Sequence, residues 1–237
     1  MSITGQNMLV ITTTMPENEI SEKRRKMMID TMSKFNIPVF FDHGIIEGGI
    51  FIHIQHRIMK SRMEQFLKIA GGGTGTGFEY GILCDDDFHC HPNFLEELNE
   101  TVKVLPPDWR CLHLSPGCLW GRGIFRDEER RKTFQVGELV PEGGHHCLNG
   151  LSVDSTGRVF TQCGSGLWNG KYLWLGGPIA VLVRRETITD LLEHYTTLYE
   201  RENNPNDVIL TNILSHRDFV CRCPLLGYED EKGGSCF

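Results

Sequence analysis

Strand-like apolar runs alternate with helical repeats across residues 8–115, and this alternation limits the fold more than any other feature of the chain. Met8-Leu9-Val10-Ile11 leads into Thr12-Thr13-Thr14, an apolar and β-branched run of the kind that forms a buried strand. Pro16 opens a helix, with Glu17 and Glu19 in its first turn, where acids suit the helix dipole. Ile20, Met27, Met28, Thr31 and Phe35 recur at helical spacing and predict its buried face. The run Lys23-Arg24-Arg25-Lys26 falls mostly off that face and reads as solvated surface. A second strand is predicted over residues 37–41 and a second helix over 56–70. The glycine-rich stretch 71–77 follows that helix and lacks GKS/T. A phosphate-cradling loop precedes its helix, so this stretch reads as a turn. Residues 80–84 give a third strand, Pro92 starts a helix with Phe94, Leu95, Leu98 and Val102 on one stripe, and 109–115 give a fourth strand. This order predicts an α/β fold on a mostly parallel sheet flanked by helices.

The pattern loosens from 116 to 170, where Gly, His, Asn and charged residues dominate around brief strand-like pieces such as Arg158-Val159-Phe160. An irregular insertion is expected there. Strands follow over 172–175 and 179–183, then a helix over 186–199 with Ile188, Leu191, Leu192, Tyr195, Leu198 and Tyr199 on one face. A turn at 203–206 precedes a short helix over 207–214. No repeat or linker divides the chain, so residues 1–237 read as a single domain.

Composition narrows the function classes. Hydrophobic residues make up 40% and charged residues 23%, enough apolar material for a core. The net charge of -7 argues against a nucleic-acid partner. No run approaches the roughly 18 apolar residues of a membrane span, and residues 1–9 lack the basic and apolar regions of a secretory leader. The nine cysteines are an odd number without paired CxxC spacing; Cys221 and Cys223 form only a CxC. They read as reduced thiols, which predicts a cytoplasmic protein.

The third strand runs directly into Asp85-Asp86-Asp87. Ligands of open α/β sheets bind beyond the carboxyl ends of strands. Three adjacent carboxylates repel one another unless a cation or donors compensate them. Mn²⁺ or Mg²⁺ suits such oxygen ligands. In extended chain Asp85 and Asp87 point one way and Asp86 the other. Asp85 and Asp87 are therefore the expected metal pair. Asp86 is left for a backbone or side-chain donor and, with Asp85, is assigned to the bound nucleotide. The bland alternative is a turn that caps the next helix.

The stretch YGILCDDDFHCHPNFLEELNETVKVLPPDWRCLHLS resembles the core of GT-A fold glycosyltransferases. It is most similar to the lipopolysaccharide and procollagen galactosyltransferase type, with its apolar strand, LEDD-like acidic motif, helix and W-D-x-L-x-L strand. Small cytosolic glycosyltransferases of large DNA viruses are a related resemblance. Cys84 stands where that family carries Glu, and Arg110 where an acid often follows the Trp. Residues 8–115 carry the likeness; GGPIAVLVRRETITDLLEHY carries a weaker one to a later family segment.

The resemblance implies a GT-A-like (Rossmann-like) domain with a nucleotide-sugar-binding half, 1–115, and an acceptor-binding half, 116–237. It implies metal-dependent transfer of a sugar from a UDP-linked donor to a glycan or other hydroxyl acceptor. Thr13 and Thr14 at the first strand's end are expected near the nucleoside, against the plainer reading of strand filling. Arg57 and Lys60, among His56, Arg57, Lys60, Ser61 and Arg62, are expected near the diphosphate, against a solvated helix face. His216 is expected as a further metal ligand, ahead of His145 and His146. Trp120, Trp168 and Trp174 are candidate sugar platforms. Asp207, at the start of the short last helix, is the expected base, with Asp154 and Glu142 in reserve; the plain alternative is a helix cap. The rival functions are a nucleotidyltransferase, which needs a Gly-rich, basic signature after its first strand that Thr12 to Glu19 lacks, and a non-catalytic carbohydrate-binding module.

Overall fold

The computed structural model describes residues 2–14, 19–43, 51–71, 77–114, 151–153, 159–162, 180–202, 217–223 and 226–229. The order is β1 (Met8–Thr14), α1 (Glu19–Ser33), β2 (Val39–His43), α2 (Phe51–Gly71), β3 (Tyr80–Cys84), β4 (Phe88–Cys90), α3 (Phe94–Val104), β5 (Cys111–His113), β6 (Leu151–Val153), β7 (Val159–Gln162), β8 (Ala180–Arg184), α4 (Ile188–Glu202), β9 (Asp218–Cys223) and β10 (Gly227–Glu229).

The main sheet has the order β2-β1-β3-β8-β5-β9-β7-β6. Strands β1, β2, β3, β5, β9 and β6 run one way, and β8 and β7 run against them. The fold class is the expected α/β one, a mostly parallel sheet flanked by helices. β10 and β4 pair antiparallel in a second small sheet.

Both faces of the main sheet are covered. Met28 and Met32 of α1, with Phe94 and Leu98 of α3, pack on one face against Met8, Val10, Ile82, Leu112 and Leu182. Met59, Met63, Phe66 and Ala70 of α2, with Ile188, Leu191 and Tyr195 of α4, pack on the other against Leu9, Ile11, Leu83, Val181 and Val183. Strands buried on both faces read as unbroken apolar runs, which is why β1 and β3 have the bounds their sequence predicts. α2 comes so close to β3 that a Cβ at Gly81 would lie 2.8 Å from Phe66 Cδ2.

The buried stripe of α1 is Ser21, Arg24, Met28 and Met32. Of the expected face, Met28 is buried and Phe35 packs on the core, while Ile20, Met27 and Thr31 are only half-buried, because an ion pair draws the Arg24 side of the helix inward. Helix α2 is longer than residues 56–70, and β2 begins two residues later than predicted. Strands β4, β9 and β10 have no counterpart in the expected pattern. The glycine stretch beyond Gly71, Pro16, the strand over 172–175 and the helix over 207–214 lie outside the described residues.

Arg110 is a structural clamp. Its Nε donates to Asp218 Oδ1 at 3.0 Å and its Nη1 to Asp190 Oδ2 at 3.0 Å. Asp218 is fully buried opposite Cys111, so the clamp joins the starts of β5 and β9 to α4. It sits at the amino end of β5, away from the acidic turn at the carboxyl end of β3. Among the described residues, no helix is long and apolar enough to cross a membrane.

Cys84, Cys90 and Cys111 are free and buried. Burial pushes the Cys84 and Cys90 thiols up, and the thiolate is the reactive form. Iodoacetamide is expected to spare these cysteines in the folded protein and to label them after unfolding, as read by peptide mass. Fast labelling of Cys84 in the native protein would contradict that placement.

Candidate active site at the carboxyl ends of β1 and β3

The carboxyl ends of three parallel strands lie side by side. Thr13 pairs in register with Asp42 and Thr14 with His43 of β2, while Thr12 pairs with Cys84 of β3. From β1 the chain crosses to β2 on one side and then to β3 on the other. That reversal between β1 and β3 is a topological switch point, where crevices open in α/β sheets.

The acidic triplet follows β3 at this edge. It does not continue the strand. The Phe88 N–H donates to the Asp85 carbonyl at 3.3 Å, closing a turn, and Phe88 is buried behind it. The turn removes the alternation that was expected to put Asp85 and Asp87 on one side. Asp86 and Asp87 both face inward. Arg24 Nη1 donates to Asp86 Oδ1 at 2.8 Å, and its Nη2 lies 3.4 Å from Asp87 Oδ2. Asp86 thus takes a side-chain donor, as its position suggested. Burial is the main cause raising the Asp86 carboxyl above its ordinary value, and the hydrogen bond and charge of Arg24 oppose it.

Asp85 faces outward, its side chain 54% exposed. Arg62, buried on α2, donates from Nη2 to Asp85 Oδ1 at 2.8 Å and from Nε to Thr13 Oγ1 at 3.1 Å. One guanidinium therefore spans the switch point and ties the end of β1 to the turn after β3. Arg57 is exposed, and Lys60 is 3.9 Å from Glu64 on its own helix. Among the described residues neither reaches the acidic turn. The α2 cation that does is Arg62, its neighbour in sequence. Thr14 is buried beside Thr12 on the other face of β1, and neither hydroxyl has a hydrogen-bond partner among the described residues. His56 stacks on Tyr195 of α4, centroids 4.8 Å apart, and so belongs to helix packing.

Sequence reasoning missed Arg24 and Asp42. Arg24 lay in a charged run, and its partners are distant in sequence. Asp42 carried a usable signal: an acid at the end of the second strand of a β-α-β unit stands where ribose hydroxyls are held in doubly wound folds. Asp207, His216, His145, His146, Trp120, Trp168, Trp174, Asp154 and Glu142 lie outside the described residues.

A hard divalent cation needs oxygen donors that solvent and ligand can reach. Asp85 meets that requirement; Asp87, its side chain 12% exposed, lies beside it in the same turn. Among the described residues, no three His, Cys, Asp or Glu side chains converge as a ready metal cage. The two arginines already offset much of the triplet's charge. These residues fit a cation that is completed by a ligand's phosphate oxygens, the usual habit of Mg²⁺.

No family profile matches the chain, and no curated protein does. Solved structures that it resembles include a glycosyltransferase involved in the glycosylation of the major capsid of PBCV-1, at 10% identity and TM-score 0.40 over 82% of this chain and 68% of that one. Another is A197 from STIV, at 11% identity and TM-score 0.40 over 94% of this chain and 85% of that one. A third is mouse xyloside xylosyltransferase 1, at 10% identity and TM-score 0.34 over 88% and 80%.

Proposed function

We propose that the chain is a glycosyltransferase that holds a UDP-linked sugar donor across the carboxyl ends of β1, β2 and β3. The observation that carries this reading is the Thr13–Arg62–Asp85 bridge over the β1/β3 switch point, with the acidic turn beside it. Asp42 and Thr13 would meet the nucleoside and Asp85 the diphosphate end. Asp85 would be the main ligand of Mn²⁺ or Mg²⁺, and Asp87 could join it only by turning from Arg24; the ion when bound would neutralise charge developing on the leaving diphosphate. Asp86 serves from beneath, through Arg24. The acceptor, a glycan or other hydroxyl compound, gives up a proton as its oxygen attacks the anomeric carbon. Asp207 is the proposed base for an inverting transfer.

A thermal-shift panel of nucleotide-sugars, each with Mn²⁺ and with EDTA, tests the reading. A ligand at a hundredfold its Kd adds about 2.7 kcal/mol. For a chain of this size that is a Tm rise of roughly 5–10 °C. The rise is expected with a UDP-sugar and Mn²⁺ together, and much less with either alone. No shift with any nucleotide-sugar would remove the reading.

A further inference from the structure

We infer that Arg62 is a positioning residue that sets Asp85 and Thr13 as one ligand-facing unit. This rests on the donor-site reading above. Arg62 occupies the sheet-facing stripe of α2 with Met59, Met63 and Phe66, and it is 3% exposed. A leucine there would fill the stripe without the cost of burying a charge, several kcal/mol before compensation. The charge instead reaches past the core to an exposed carboxylate and to the one hydroxyl at the end of β1 that faces α2. Arg24 offers the contrast. Its partners Asp86 and Asp87 are buried with it, so that pair locks the turn from below. Arg62 acts on the surface that a ligand meets.

The guanidinium geometry matters as well as the charge. Nε and Nη2 point at two acceptors, Thr13 at the end of β1 and Asp85 in the turn after β3. A lysine ammonium is a compact charge on a flexible stem and cannot keep that fixed fork. Side chains that orient a ligating residue without touching the ligand typically change affinity by about 10–100-fold when altered.

Calorimetric titration of Mn²⁺ and UDP into the parent, Arg62→Met and Arg62→Lys tests this, with urea unfolding of each alongside. Arg62→Met is expected to weaken binding about 10-fold or more, and Arg62→Lys by an intermediate factor. If Arg62→Met does not fold, Arg62→Lys carries the test, since it keeps the charge and loses the bridge. Methylguanidinium added to a folded Arg62→Ala protein should recover part of the affinity, which a purely structural loss would not allow. Folded variants that bind like the parent would overturn the inference and leave the donor site standing. A parent that binds no Mn²⁺ and UDP would overturn both.

Discussion

On the proposed donor-site reading, replacing Asp85 by Asn is expected to reduce donor binding and sugar transfer by about 100-fold or more, with the fold intact. Asn keeps a side-chain oxygen that can still accept from Arg62 Nη2, so the bridge to Thr13 survives. What disappears is the charge on the most open carboxylate of the acidic turn. Its side chain is 54% exposed, so the core loses little. Asp87 makes a poorer test. It sits 3.4 Å from a buried guanidinium, and removing it disturbs the turn as well as any ligand. Donor titration, steady-state transfer and a melting curve on Asp85→Asn separate the effects. Transfer within a few-fold of the parent would remove Asp85 from the site.

Arg24→Met is expected to cost stability first, about 3 kcal/mol near neutral pH, because breaking a buried pair leaves carboxylates uncompensated. The pH dependence has a definite sign. Burial raises the Asp86 carboxyl, and Arg24 is the main opposing cause. A carboxyl whose folded pKa lies above its unfolded one favours folding below the unfolded pKa. That contribution is lost as pH rises through the folded pKa. Without Arg24 the folded pKa of Asp86 moves further up. The deficit of Arg24→Met is therefore largest above that raised pKa and narrows as pH falls through it, as the buried carboxyl takes its proton. Urea unfolding of both proteins across a pH series measures it. A gap under about 1 kcal/mol, or one that does not change with pH, would mean that water or another group compensates the turn.

The legible parts of the fold are those that local pattern controls. β1 and β3 are buried on both faces, so apolar runs bounded by polar residues mark their ends. The opposite error comes from α1. Hydrophobic periodicity assigns a cation to solvent, and nothing local says that Arg24 has partners 62 and 63 residues later. Distance in sequence also hides β4 and β10, strands of three residues each that exist only because they pair with one another. The acidic turn was legible as chemistry but not as geometry. Alternation holds while a strand continues, and this one stops at Cys84. Arg62 shows the same limit: the resemblance points to a segment of α2, while which of its cations reaches the acidic turn depends on which side of the helix meets the sheet.

The proposed function puts a donor and its cation at the β1/β3 edge. Anomalous scattering from crystals of the protein grown with Mn²⁺ and UDP tests this. The expected result is a manganese peak against the Asp85 carboxylate, with nucleotide density running over Thr13 toward Asp42. A nucleotide bound elsewhere, or manganese with no contact to the acidic turn, would contradict that placement.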